Sequence, residues 1–210
     1  MSVTHIRKIG HTRSAVEYEV LGGKGTKQRR ENVAAGTDRV AAILCDRGSV
    51  EEFVDHAEAM AKAHGRKVET LSLIQSFQST EFDPTDPDDI QAVNGLGYEL
   101  AKRLYPDCDA LVITHTDSAG GLPHNHIKVI NHDKTTGKVP TRTMHWQVAK
   151  ENDELMREHH LSVVKRGRRT KPAPWELKRD GAAVTEFERR LGDQIEEILA
   201  DETTTNVEIF

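Results

Sequence analysis

Three histidines and an aspartate lie close together in the stretch ITHTDSAGGLPHNHIKVIN, residues 113–131. His124 and His126 are separated by one residue, so in a strand both imidazoles point to the same side. A glycine turn between the two strands returns His115, at the end of the preceding strand, to their neighbourhood. Three neutral imidazoles that leave coordination positions open are typical of a catalytic metal site rather than a closed structural one.

The fourth side chain of interest in this stretch is Asp117. Its carboxylate is expected to accept a hydrogen bond from an imidazole N–H and so to fix the tautomer of that ring. A His-x-His pair alone is more typical of hydrogen-bonded strand histidines without a metal, but a third histidine that converges on the pair favours a metal site. A histidine-only site is a Lewis acid with no thiolate or bridging carboxylate to reduce its charge, and polarising a phosphate is one natural task for it.

Periodicity predicts the strands and helices on which these side chains lie. Strands are expected at 67–77, 109–115, 124–131 and 161–164, and helices at 50–64, 86–104, 144–159 and 183–199. Along 124–131 the histidines and Lys128 share one face and apolar residues the other. This order predicts an α+β fold with a central antiparallel sheet. The helices, those at 50–64 and 86–104 among them, are expected to pack on one face of it.

Bulk properties bound the class of protein. The 210 residues, mean hydropathy of −0.61 and charged content of 30% describe a soluble polar chain of one domain with room for a small appendage. No apolar run has the length of a membrane-spanning helix, and no apolar segment follows the basic N-terminus as in a signal peptide. The two cysteines form no Cys-x-x-Cys unit, so a cytoplasmic location is expected.

The charge distribution is more informative than the net charge of −5, which argues mildly against a general nucleic-acid binder. Basic clusters occur at 24–30 and 165–171, whereas acidic residues concentrate at 81–89 and 195–202. A basic run by itself is usually a solvated loop. These clusters gain meaning only if another feature of the chain calls for an anion.

Four segments together resemble the conjugative relaxases of the MobA/VirD2-like type, HUH endonucleases that start plasmid and integrative-element transfer. HTDSAGGLPHNHIKVIN is similar to their third motif, and SAVEYEVLGGKGTKQ at 14–28 to the first. Ser76-Phe77 with Glu81 beyond resembles the second motif, and NDELMREHHLSVV at 152–164 the helix and strand that follow the histidines. The resemblance covers about residues 10 to 165.

The resemblance implies a site and a reaction. Tyr18 matches the nucleophilic tyrosine, and Asp117 the acidic residue that supports the site, while the metal triad corresponds to His115, His124 and His126. It implies a sheet of about five strands, a divalent metal (Mg or Mn), and nicking of single-stranded DNA at an origin of transfer through a 5′-phosphotyrosyl intermediate. Expected partners are relaxosome accessory proteins and a coupling protein. Residues 1–175 would form the relaxase domain and 176–210 a C-terminal helical extension.

Single-stranded DNA would have to cross the histidine-bearing side of the sheet. The expected phosphate contacts are basic residues that follow the nucleophile, share the histidine strand, or follow the last short strand: Lys24, Lys27, Arg29, Arg30, Lys128, Lys165, Arg166, Arg168 and Arg169. Trp146 or Trp175 would stack on a base or, as favoured here, pack in the core.

Three alternatives stay open at this point. A rolling-circle replication initiator uses the same chemistry but usually places its tyrosine after the histidines, whereas Tyr18 precedes them. A metal-stabilised DNA-binding accessory domain would bind without nicking, and a hydrolase would use metal-bound water with Tyr18 incidental. The other two tyrosines, Tyr98 and Tyr105, fall on the helix predicted at 86–104 or at its end, and are expected to pack.

Overall fold

The computed structural model describes residues 2–78, 80–118 and 120–163. The strands are β1 (Val3–Ile9), β2 (Ala42–Cys45), β3 (Thr70–Ser76), β4 (Ala110–His115) and β5 (His124–Ile130). The helices are α1 (Thr12–Leu21), α2 (Lys27–Ala35), α3 (Val50–Ala63), α4 (Pro87–Leu104) and α5 (His145–Glu158). The extension predicted at 176–210 and the basic residues at 165–169 lie outside the described residues, as does Trp175.

The five strands form one antiparallel sheet in the order β1-β3-β5-β4-β2, with the histidine strand β5 at its centre. The predicted α+β class and the antiparallel pairing of 109–115 with 124–131 are therefore confirmed. The strand predicted at 161–164 is wrong for residues 161–163, which are irregular. No helix in the described ranges is long and apolar enough to cross a membrane.

Helices cover both faces of the sheet, so the prediction that 50–64 and 86–104 pack on the same face is wrong. Helices α4 and α5 pack on the side that carries Val112 and Ile127. Helices α1 and α3 pack on the opposite side, against Leu111 and Ile113. Because side chains alternate along a strand, adjacent residues of β4 serve two separate cores. We call the side with the three histidines the histidine face and the other the amide face.

The amide face takes its name from a row of buried polar side chains at the level of the histidines. Asn94 donates to Thr114 Oγ1 (2.8 Å), whose hydroxyl donates to Asn125 Oδ1 (2.7 Å). Asn125 Nδ2 donates to Gln75 Oε1 (3.0 Å), and Gln75 Nε2 to Asn152 Oδ1 on α5 (2.8 Å). This amide chain ties α4, β4, β5, β3 and α5 together, and it fixes the strand ends that carry the imidazoles.

Helix α1 is the element that carries Tyr18, and the sequence did not predict it as a helix. Arg13 fastens it to α3 through contacts with Glu51 (2.5 Å), Asp55 (2.6 Å) and Glu58 (3.1 Å). The helix ends at Gly22, whose φ of 95° is in the region that favours glycine and whose N–H donates to the carbonyl of Tyr18. The chain then turns into α2.

Candidate active site

The three histidines predicted to share a metal converge at one end of the histidine face. Register pairs His115 with His124 across β4 and β5, and His126 follows two residues later on the same side. Their ring centroids are 4.7–5.3 Å apart, and one nitrogen from each ring lies within 4.8 Å of the others. His115 is fully buried, and the other two rings are half-buried. No other cluster among the described residues has ligands in such an arrangement.

The protonation of these imidazoles suits metal binding, since a metal takes the neutral ring. Burial, followed by the nearby charges of His126 and Arg39, lowers the pKa of His115 to about 4. Burial also lowers the pKa of His124, whose Nδ1 lies 3.1 Å from the carbonyl oxygen of Leu122. Both nitrogens of His115 are buried without a hydrogen-bond partner. A buried polar atom without a partner is costly, and a metal ion would satisfy one of the two.

A buried carboxylate, that of Glu19, links helix α1 to the histidine strand. Its Oε1 accepts a hydrogen bond from Lys128 and lies 3.4 Å from Nδ1 of His126. Burial acts to raise the pKa of Glu19, but His126 and Lys128 outweigh it and hold that pKa below its usual value. The prediction that the Tyr18 segment lies beside 124–131 is therefore confirmed by direct contact.

Lys128 is the clearest error among the predicted DNA contacts. Its side chain is 0% exposed, and its ammonium is held by Glu19 and by the hydroxyl of Ser72 at 2.9 Å. An ammonium enclosed in this way cannot reach a phosphate in solution, so the assignment of Lys128 to DNA is wrong. The lysine instead compensates the charge that Glu19 brings beneath the site.

Of the chain's three tyrosines, Tyr18 is the one with an exposed side chain, at 55%. Tyr98 donates its hydroxyl to Asp46 (2.5 Å), and that hydrogen bond, with burial, raises the pKa of Tyr98 to about 12. Tyr105 is buried, which raises its pKa, and its hydroxyl donates to the carbonyl oxygen of Arg142. Both groups are held in structural hydrogen bonds, as their predicted packing role requires.

Asp117 is bound differently from the prediction. Its two carboxylate oxygens accept from Nε and Nη2 of Arg39 at 2.8 and 2.7 Å, and Gln28 donates to it at 3.3 Å. The expected hydrogen bond from an imidazole is absent, because the nitrogens of His115 are unpartnered and His124 faces a carbonyl oxygen. The carboxylate orients an arginine rather than a histidine.

The predicted phosphate contacts after the nucleophile divide into two groups. Lys24, Lys27 and Arg30 are exposed, and Lys27 lies 3.4 Å from Glu31 one helical turn on. Arg29 is instead half-buried and bound to Glu17 at 3.2 Å, so its charge is compensated. The core packing favoured for Trp146 is wrong, since 57% of this residue is exposed.

Sequence reasoning missed two charged residues of the site, Glu19 and Arg39. Glu19 directly follows the tyrosine, and its partner Lys128 lies 109 residues further along the chain, so no local pattern joins them. Arg39 stands in an irregular segment between α2 and β2, where periodicity carries no information. Only the fold brings either of them to the histidines.

Comparisons with known proteins identify the family to which the chain belongs. The family model for the MobA/VirD2-like nuclease domain of relaxases matches residues 27–161, a range that does not include Tyr18. Two relatives named Protein rlx, from Staphylococcus aureus, are 31% identical over 168 residues and 29% identical over 154. These alignments cover 76% and 69% of this chain but 45% and 42% of the relatives, so the chain spans less than half their length.

Solved structures give a similar result for the fold. The MobM relaxase domain (MOBV; Mob_Pre), bound to plasmid pMV158 oriT DNA and to Mn, superposes with a TM-score of 0.54. The match covers 86% of this chain and 99% of that one. At 14% identity, this likeness concerns the fold alone.

Proposed function

We propose that this chain, which belongs to the MobA/VirD2-like relaxase family, nicks single-stranded DNA at an origin of transfer with Tyr18 as its nucleophile. The phenol oxygen forms a bond to phosphorus while the bond from phosphorus to the 3′ oxygen breaks. The phenol gives up its proton, and the departing oxygen takes one up from solvent. The products are a 5′-phosphotyrosyl link and a free 3′-hydroxyl, which can rejoin by the reverse step.

The observation that carries the proposal is the placement of α1. Its exposed tyrosine is followed by a buried glutamate that contacts the histidine strand at His126 and Lys128. Tyr18 is thereby held at the histidine end of the sheet although it stands almost a hundred residues before His115 in sequence. The other two tyrosines are engaged in hydrogen bonds at Asp46 and Arg142.

The residues that would hold a divalent ion, Mg or Mn, are His115, His124 and His126. When bound, such an ion would polarise the scissile phosphate and stabilise charge on its non-bridging oxygens. Three findings support the fit: the ligand atoms converge, the pKa of His115 is low, and both of its nitrogens lack partners. The Mn in the MobM complex supports a metal of this kind.

DNA reaches the site, in this proposal, past the exposed basic side chains that follow Tyr18. Lys24, Lys27 and Arg30 offer sequence-independent phosphate contacts. The oriT DNA bound to MobM supports origin-of-transfer DNA as the substrate. Accessory relaxosome proteins and a coupling protein stay predictions.

Membership of the relaxase family favours mobilisation over rolling-circle initiation, the first alternative. The second and third alternatives, an accessory domain without nicking and a hydrolase without a tyrosine adduct, differ from the proposal in one observable. Unlike those two, the proposed reaction leaves DNA covalently attached to Tyr18.

The test is incubation with Mn²⁺ or Mg²⁺ and single-stranded oligonucleotides that tile the DNA surrounding the chain's own gene. Wild-type protein should give a protease-sensitive protein–DNA adduct on denaturing gels, and Tyr18→Phe should remove it. Tyr98→Phe and Tyr105→Phe are matched controls that should keep it. An adduct formed by Tyr18→Phe would identify another nucleophile, and no adduct from wild type with any oligonucleotide would reject nicking.

The metal assignment has its own test, because it does not require DNA. Calorimetry should show that His124→Ala or His126→Ala loses most Mn²⁺ affinity, since two ligands remain and the site loosens. His132→Ala is the control, because that ring packs on His64 at 4.8 Å and lies outside the cluster. Unchanged affinity in both ligand variants would contradict the assignment.

A further inference from the structure

Arg39 joins the helix that carries Tyr18 to the strand that carries His115. Its backbone N–H donates to the carbonyl of Val20, near the end of α1, at 3.1 Å. Two residues later, the N–H of Ala41 donates to the carbonyl of Thr114, the residue before His115, at 2.8 Å. The backbone from which the Arg39 side chain extends is therefore hydrogen-bonded both to α1 and to β4.

The guanidinium of Arg39 is oriented by a two-point contact with Asp117. Nε and Nη2 donate to separate carboxylate oxygens at 2.8 and 2.7 Å, the planar fork that arginine forms with a carboxylate. Gln28, from the first turn of α2, holds the same carboxylate. A guanidinium has five N–H donors, so this fork leaves three of them for other acceptors. With its side chain 16% exposed, Arg39 is a cation in a partly desolvated position.

Electrostatic effects show which groups this cation acts on. Asp117 is the main cause of the raised pKa of Arg39, and Tyr18 contributes in the same direction through its charge and its hydroxyl. The contacts of Arg39 with Val20 and Asp117 place it between the end of α1, which carries Tyr18, and the residues that follow His115.

We propose that Arg39 is a catalytic residue of the nicking reaction, donating from its remaining N–H groups to the Tyr18 oxygen and the phosphate it attacks. Asp117 is then a positioning residue that acts through Arg39. In rejoining, the 3′-hydroxyl attacks phosphorus and gives up its proton to solvent, while the bond from phosphorus to Tyr18 breaks and the phenolate leaves, to be protonated from solvent. A fixed cation stabilises the negative charge on that leaving oxygen, and on the phosphate in both directions. This role rests on the nucleophile assigned under the proposed function.

The experiment measures single-turnover cleavage and rejoining with the full chain and Mn²⁺. We expect Arg39→Gln to slow both steps by about 10²–10³-fold, as the loss of one preorganised donor does in other enzymes. Arg39→Lys should fall between this variant and wild type, because it keeps the charge but loses the fork. In Arg39→Ala, added guanidinium at a non-denaturing concentration should restore part of the rate. Arg103→Gln, which removes a forked arginine bound to Glu99 and Glu158 away from the site, should cleave like wild type.

Metal affinity separates a catalytic role from a structural one. Removing a cation near the imidazoles should leave Mn²⁺ affinity equal to that of wild type or higher, as measured by calorimetry on Arg39→Gln. A loss of affinity comparable to that of His126→Ala would assign Arg39 a structural role and overturn the proposal. Cleavage by Arg39→Gln at the wild-type rate would overturn it as well. If wild type forms no adduct, the nicking reaction itself is rejected. If wild type forms the adduct and Arg39→Gln forms it at the same rate, only the role of Arg39 is rejected.

Discussion

The two faces of the sheet bury polar groups at the same level of the same strands, with opposite outcomes. On the amide face, neighbouring side chains from Asn94 to Asn152 satisfy one another through hydrogen bonds of 2.7–3.0 Å, although Asn94 Oδ1 lacks a partner. On the histidine face, both nitrogens of His115 and Oε2 of Glu19 are buried without partners. Unpaired buried groups cost stability, so the second arrangement requires an explanation that the first does not.

Alternation along one strand places structural hydrogen bonds on one face and the candidate metal ligands on the other. Asn125 stands between His124 and His126 in sequence, yet its side chain belongs to the amide chain on the other face. Gly97 of α4 permits this, because a Cβ at that position would lie 2.5 Å from Nδ2 of Asn125. The amide face holds the strands in register, and the histidine face keeps ligand atoms free.

Breaking the buried ion pair should change the stability of the protein most. Lys128→Met leaves the carboxylate of Glu19 buried without its main partner, and should lower the free energy of unfolding by about 3–5 kcal/mol. Urea denaturation of the metal-free protein measures this. The double variant Glu19→Leu/Lys128→Met should recover most of the loss, because it removes both charges. Lys134→Met is the control, since its partner Asp109 keeps Arg47 at 2.5 Å.

The pH dependence of stability should come from the histidine face. The unfolded chain protonates His115 near the ordinary pKa of 6.5, whereas the folded chain does so only at about 4. Stability is therefore unaffected above pH 6.5 and falls between pH 6.5 and 4, by on the order of 2–3 kcal/mol. Thermal unfolding of the metal-free protein across this range, with His115→Leu as the comparison, should show a shallower decline in the variant. Parallel declines would mean that other groups dominate.

A pair of matched substitutions tests the two faces directly. Asn125→Leu should destabilise the protein by about 2–3 kcal/mol, because it leaves the buried side chains of Gln75 and Thr114 without their hydrogen bonds to Asn125. His115→Leu should leave the stability of the metal-free protein at pH 7.5 unchanged or raise it by up to about 1 kcal/mol, since no hydrogen bond is lost. It should nevertheless abolish cleavage. Equal destabilisation by both would remove the distinction between the faces.

Much of this arrangement was predictable from sequence where the signal is local. The strands at 67–77, 109–115 and 124–131 and the helices at 50–64, 86–104 and 144–159 agree with the structure to within a few residues, because each has its own period and breakers. The convergence of the three histidines followed from alternation and a turn. Residues 12–21 showed no such period, and α1 is held by charged contacts rather than by a broad apolar stripe.

Two of the errors, the exposure of Lys128 and the side on which the helices pack, share one physical cause. Alternation tells which residues share a face but says nothing about what covers that face, so Lys128 was placed in solvent and all helices on one side. Its cover is α1, held through Glu19, and the covering helix precedes it by more than a hundred residues. Arg39 could not be assigned for the same reason, since its contacts with Asp117 span 78 residues.

The smallest expected effect concerns the exposed basic side chains near Tyr18. The double variant Lys24→Gln/Arg30→Gln should weaken single-stranded DNA binding only several-fold at moderate salt, and reduce the slope of log affinity against log salt by about 1–2. Stability should stay within about 0.5 kcal/mol of wild type, since neither side chain is buried. Fluorescence anisotropy at several salt concentrations measures the slope. Lys150→Gln, at an exposed position of α5, is the control. An identical change in slope for that variant would mean that the effect is not specific to the side chains near Tyr18.

The contact between Glu19 and Lys128 also sets an order of events during translation. Glu19 leaves the ribosome 109 residues before its lysine does, which at ~5–20 residues per second is about 5–20 s. During that interval the helix that carries the tyrosine has neither its ionic partner nor the imidazoles beside it. A nascent chain therefore carries the tyrosine without the histidine cluster beside it until the central strand of the sheet has been synthesised.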